Sequence, residues 1–206
     1  MATIKGREDQ CGRAYASLLR QPLVDHIFIQ SKPHGAREDD ARKFLNEPIS
    51  GYMITADDDL IYPVGYVEYM VNQLDEQRKI NGPCAVTLMG RLITGKMTSY
   101  YHDLENAVKL DWRDADGITK RIHIPGTCMF IYHTDDIRFT MDDFPTENMA
   151  DIHAGIKCHN EGVKIVRVPP IRPKWIQYQN VEDTIWDRDN LNDSVHTELV
   201  NSVNWI

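Results

Sequence analysis

The sequence predicts an α/β protein in which helices pack on a mostly parallel central sheet, followed by a less regular second half. Three observations carry this. Strand-like and helix-like stretches alternate as β-α-β-α-β-α-β through residues 1–89. The runs Val24–Ile29 and Ala85–Met89 are short, apolar and rich in branched side chains, as buried strands are. Val67, Met70, Val71 and Leu74 recur at three- and four-residue spacing, which marks the buried stripe of a helix.

In order, Met1–Ile4 reads as a short strand and Lys5-Gly6-Arg7-Glu8 as a polar turn. Cys11, Tyr15, Leu18 and Leu19 then form a helical stripe that Pro22 ends. Val24–Ile29 is the next strand, Ala36–Leu45 a short charged helix, and Ile49–Ala56 a strand running into Asp57-Asp58-Asp59. Pro63 suits the first turn of the following helix. Asn81-Gly82-Pro83 closes that helix before the strand Ala85–Met89. Residues 90–123 are polar and mixed, with a turn at 114–117. Gly126–His133 reads as a strand and 146–162 as a helix stopped by Gly162. Val163–Val168 is a last strand, and the tail 171–206 has tryptophans but weak periodicity.

A chain of 206 residues, 42% of them hydrophobic, is expected to build one domain, 1–206, from a first half 1–90 and a second half 91–206. The formal charge of −8 argues against a broadly basic face for nucleic acid. The basic run Lys164, Arg167, Arg172 and Lys174 keeps a local one in view. Four cysteines stand far apart without a CxxC pair, so free thiols are expected. No apolar run nears the roughly 20 residues of a membrane span. The opening Met1–Ile4 turns polar at Lys5, giving no signal-peptide core. The expectation is a soluble, cytoplasmic protein.

The acids Asp57-Asp58-Asp59 are the most informative residues. In open α/β sheets ligands bind beyond the carboxyl ends of the strands, where these acids fall. Asp57 and Asp59 are two apart, so in extended chain both leave the same side. Side by side they repel unless a cation joins them, and a divalent ion with oxygen ligands does so while leaving sites for substrate phosphates. Capping of the helix that follows is the other reading, but one acid is enough for that.

A strand, an Asp-Asp-Asp motif and an aromatic-Pro helix together resemble the GT-A glycosyltransferases, particularly family-2-like bacterial and viral sugar transferases. Further segments resemble that group in the same order: Thr3-Ile4-Lys5-Gly6-Arg7, Asp40-Ala41-Arg42-Lys43-Phe44, Gly51 to Pro63, Gly126-Thr127, and Asn148-Met149-Ala150-Asp151-Ile152. Together they span roughly residues 2–168. Arg42, Met89 and Cys128 depart from the pattern, standing where the group has glycine, histidine and glycine.

The resemblance implies a single GT-A-like domain, with a nucleotide-sugar-binding half and an irregular acceptor-binding half. It implies an inverting transfer from a nucleoside-diphosphate sugar, UDP-sugar favoured, to an acceptor hydroxyl. Asp57 and Asp59 would hold Mn²⁺ or Mg²⁺, and Asp151 would be the catalytic base. Arg7, Asp40, Lys43 and Asp58 would contact the nucleotide or donor. Tyr100, Tyr101 and Trp112 would meet the acceptor, which is a glycan, protein, small molecule or hydroxylated DNA base. Each has a plainer reading: Arg7 and Lys43 as solvated surface, Asp58 as a helix cap, Asp151 as a helix N-terminal acid, the aromatics as core. His196 is a further candidate metal ligand from the tail. Two alternatives stand beside the transferase: a nucleotidyltransferase, whose Gly-rich N-terminal loop this chain lacks, and a non-catalytic carbohydrate-binding module on a similar fold.

Overall fold

The computed structural model describes residues 1–4, 6–32, 41–44, 49–113, 115–181, 184 and 190–205. The chain is mixed α/β. Its strands are β1 (Ala2–Ile4), β2 (Gln30–Lys32), β3 (Tyr52–Ala56), β4 (Leu60–Ile61), β5 (Cys84–Thr87), β6 (Gly90–Ile93), β7 (Ala107–Leu110), β8 (Lys120–Ile122), β9 (Ile124–Pro125), β10 (Met129–His133), β11 (Lys164–Arg167) and β12 (Gln177–Tyr178). Its helices are α1 (Glu8–Leu19), α2 (Tyr66–Asn81), α3 (Ala150–Asn160) and α4 (Ser194–Asn201).

The central sheet runs β3-β10-β5-β11-β8. Only β5 and β11 pair in parallel; the other three pairs are antiparallel. The expected mostly parallel sheet is therefore corrected to a mixed, largely antiparallel one. The cause is β10, which inserts between β3 and β5 against both. Met129–Tyr132 are all buried, and a fully buried run carries no sign of its direction.

Strands β3 and β5 both oppose β10, so they run the same way, and β11 follows β5. Strand β1 joins them through a parallel bridge from Ala2 to Asp57, with β2 parallel on its far side. The carboxyl ends of β1, β3, β5 and β11 thus share one edge. Helix α3 turns back into β11 within residues 161–163, so its N-terminus returns to that edge.

Alternation along the strands divides the core into two layers. Ile131, Val86 and Val166 pack with Ala14 and Leu18 of α1 and Val67, Met70 and Leu74 of α2. Phe130, Tyr132, Ala85 and Ile165 pack on the other face with Ala154 and Cys158 of α3 and with Phe44, Phe139 and Phe144. Helices flank the sheet as expected. A third core joins Ile93, Tyr100, Ile152, Val200 and Trp205 beside the small sheet β7-β6-β9. Gly90 and Gly155 allow these layers to meet. A Cβ at Gly155 would stand 2.6 Å from the His123 carbonyl oxygen, and one at Gly90 would collide with that of Ile124.

Other local expectations shift. Val24–Ile29 is irregular, with Phe28 and Ile29 exposed, and the strand lies at Gln30–Lys32 instead. Of the expected helix Ala36–Leu45, only 41–44 fall among the described residues, and Arg42–Phe44 form a 3₁₀ turn. Helix α2 starts at Tyr66, after Pro63, because Gly65 enters it with φ of 84°. The mixed stretch 90–123 holds β6, β7 and β8, and the tail holds β12 and α4. All four cysteines are free, and three are buried: Cys11 and Cys84 in the first core layer and Cys158 in the second. Arg167 leaves the basic run altogether: it is fully buried, hydrogen-bonded to Asp116 and to the carbonyls of Leu88, Asp111 and Ile118. No helix among the described residues is long and apolar enough to cross a membrane.

Candidate active site

The shared carboxyl edge gathers the predicted acids. Asp57 continues β3 by its bridge to Ala2, and Asp58 and Asp59 turn the chain into β4. Tyr62 fixes this turn from below. Its hydroxyl accepts the Asp57 backbone N–H at 2.9 Å and donates to the Cys128 carbonyl at 2.8 Å. One buried side chain thereby ties the end of β3 to the residue before β10.

The three carboxylates have different surroundings. Asp57 accepts from Lys43 Nζ at 2.9 Å, and that lysine side chain is almost wholly buried. Asp58 is buried; Thr3 Oγ1 donates to its Oδ2 at 2.7 Å and Arg7 Nη1 to its Oδ1 at 3.4 Å. Burial raises its pKa, and Asp57 adds to this, while Thr3 and Arg7 oppose the rise. Asp59 forms no ion pair among the described residues, and its pKa is pushed up to about 7 by desolvation and then by Asp57 and Asp58. It is the carboxylate of the three with least to balance its charge, and a cation is what the position lacks electrostatically.

The chain from the tail closes over this turn. Strand β12 pairs with β4, and the Gln179 backbone N–H donates to the Asp59 carbonyl at 2.7 Å. The Gln179 side chain donates to the carbonyls of Asp58 and Gln10 and accepts from Arg13 Nε. Nothing in the unpatterned tail signals this role. A cavity of about 650 Å³ opens beside Lys43, lined also by Met1, Ile54, Ala56 and Val67, but by none of the three aspartates.

Asp151 stands in the first turn of α3, on the same edge. The Tyr100 hydroxyl donates to its Oδ2 at 2.5 Å, and the Ile152 N–H to its Oδ1 at 2.9 Å. Tyr100 is buried, and burial followed by the Asp151 charge raises its pKa well above the usual phenol value, so it stays a donor. Its face carries the Arg91 guanidinium at 4.4 Å on one contact and the His196 ring at 5.5 Å on another. Tyr101 lies edge-on to Tyr100 and also meets Arg91 and His196.

The predicted residues thus form two groups: Arg7, Lys43, Asp57, Asp58 and Asp59 around the turn after β3, and Tyr100, Tyr101 and Asp151 at the start of α3. Trp112 packs against the first core, and Asp40 lies outside the described residues. His196 stacks on the tyrosines, and no group of three or more His, Cys, Asp or Glu side chains suited to a metal ion occurs among the described residues. The chain matches no family model and no curated protein.

Proposed function

We propose that the protein is a metal-dependent, inverting glycosyltransferase that moves a sugar from a nucleoside-diphosphate donor, a UDP-sugar favoured, to an acceptor hydroxyl. The observation that carries this reading is the turn Asp57–Asp59. Asp57 and Asp58 have cationic partners, whereas Asp59 forms no ion pair among the described residues and its pKa is raised to about 7. A carboxylate short of positive charge beside two others at the carboxyl edge of a sheet fits a divalent cation bound together with phosphate oxygens.

Asp57 and Asp59 would hold Mn²⁺ or Mg²⁺, which supplies Lewis-acid neutralisation of the leaving diphosphate. Lys43, beside Asp57, adds a fixed positive charge at the same place. Asp58 ties β1 and the Arg7 loop to the turn and so shapes the nucleotide side of the site. Asp151 takes the acceptor hydroxyl proton as that oxygen attacks the anomeric carbon from the face opposite the leaving group. Tyr100 positions Asp151: its hydrogen bond to Oδ2 fixes the carboxylate plane, and each carboxylate oxygen keeps a further lone pair for the incoming proton. Tyr101 flanks the same ground, while Tyr100 acts through Asp151 rather than by touching the acceptor.

Water can stand in for the acceptor, so release of UDP or GDP from their hexose conjugates tests the reading without a known acceptor. The expected result is release that requires Mn²⁺ and falls roughly 100-fold in Asp151→Asn. Equal, metal-independent release by wild type, Asp59→Asn and Asp151→Asn would overturn it.

A further inference from the structure

Arg91 is 8% exposed, yet among the described residues its guanidinium has no hydrogen-bond acceptor and no carboxylate partner. Its contacts are with ring faces, Tyr100 at 4.4 Å and Tyr101 at 5.8 Å. Stacking satisfies the flat faces of a guanidinium and leaves the N–H donors around its edge unused. Its side-chain nitrogens still reach solvent, so these unused donors are open to an incoming anion.

The residue directly across from it sharpens the point. In the antiparallel pair β6–β7, Arg91 stands opposite Lys109, on the same face. Like charges directly opposite on neighbouring strands destabilise a sheet. Partial burial and then the Arg91 charge lower the Lys109 pKa; Asp111 opposes this, but it is engaged by Arg113. Asp151, the acid on the other side of Tyr100, is occupied by Tyr100 and the Ile152 N–H and forms no ion pair with Arg91.

We propose that Arg91 and Lys109 form an oxyanion site that binds a carboxylate or phosphate carried by the acceptor, next to Asp151. The acceptor is then an acidic or phosphorylated molecule. The unused planar donors of Arg91 match the two oxygens of such a group, and Lys109 adds a point charge. The assignment to the acceptor rests on reading Asp151 as the base; the oxyanion site does not.

The test is NMR titration of the full chain with glucuronate, glucose 6-phosphate and uncharged glucose, following the Arg91 Nε–H and the Lys109 amide. The proposal expects both anions to shift these signals saturably and glucose to leave them in place. Affinity should weaken roughly tenfold in Lys109→Gln, a surface change, and in Arg91→Met, which keeps the stacking volume. Anion binding unchanged in Lys109→Gln, glucose shifts equal to those of glucuronate, or no shifts at all would overturn it. Displacement of the anions by UDP with Mn²⁺ would give the site to the donor phosphates and overturn the acceptor assignment. Anion binding retained where UDP and Mn²⁺ do not bind would instead count against the transferase reading and leave the oxyanion site standing.

Discussion

The Tyr100 hydroxyl donates a 2.5 Å hydrogen bond to Asp151 Oδ2 from a fully buried ring. A neutral phenol bonded to a carboxylate is a charge-assisted contact, and its worth lies in orienting the acid as much as in stability. Tyr100→Phe keeps the ring, its packing on His196 and its contact with Arg91. Turnover is expected to fall about tenfold, in line with loss of one charge-assisted bond, while donor affinity stays unchanged. Steady-state kinetics with calorimetry of donor binding separates the two.

Asp59 makes stability depend on pH. Its pKa is raised in the fold to about 7, against about 3.9 in an unfolded chain. Between those values the folded state holds the extra proton, so the Asp59 contribution to stability falls as pH rises towards 7, opposite in sign to those of His123, lowered to about 4, and of the N-terminal amine, lowered to about 6. Asp59→Asn should remove this contribution and so raise Tm relative to wild type more at pH 7.5 than at pH 5, and Mn²⁺ should raise the Tm of wild type only at the upper end of the range. Thermal melts at pH 5 and pH 7.5, with and without Mn²⁺, check the sign.

Asp58 is the structural member of the acid turn. Removing it strips the partly buried Thr3 and Arg7 contacts at once. Asp58→Ala is expected to cost about 2–3 kcal/mol and Thr3→Val about 1 kcal/mol, both read from urea denaturation. A neutral result for Asp58→Ala would mean that its role is confined to ligand contact.

Gln179 holds the turn from the other side. Gln179→Ala should leave the Asp58 carbonyl without its partner and weaken Mn²⁺-dependent nucleotide binding about fivefold, with a smaller change in Tm. Calorimetry on the variant beside wild type measures both effects.

How much of this was legible depended on whether a residue acts through periodicity. The stripe of α2 and the acids after β3 are written in local patterns, and both stand where the sequence puts them. Strand β10 is uniformly apolar, and its direction is set by the pairing it finds, which no local pattern records. Val24–Ile29 reads as a buried strand, yet Phe28 and Ile29 are exposed and the backbone pairing with β1 falls on the polar Gln30–Lys32. Strands β6 and β7 were hidden because Arg91 and Lys109 break their apolar pattern, and those same residues now form the proposed oxyanion site. Gln179 works through one amide group, and a single amide in a polar tail has no signature.

The most direct measurement is calorimetric titration of UDP and GDP, with and without Mn²⁺, on wild type and Asp59→Ala. Binding of one nucleoside diphosphate that requires both the metal and Asp59 is the predicted result. Failure of either nucleotide to bind with Mn²⁺ present, or binding indifferent to Asp59, would contradict a metal-dependent donor site.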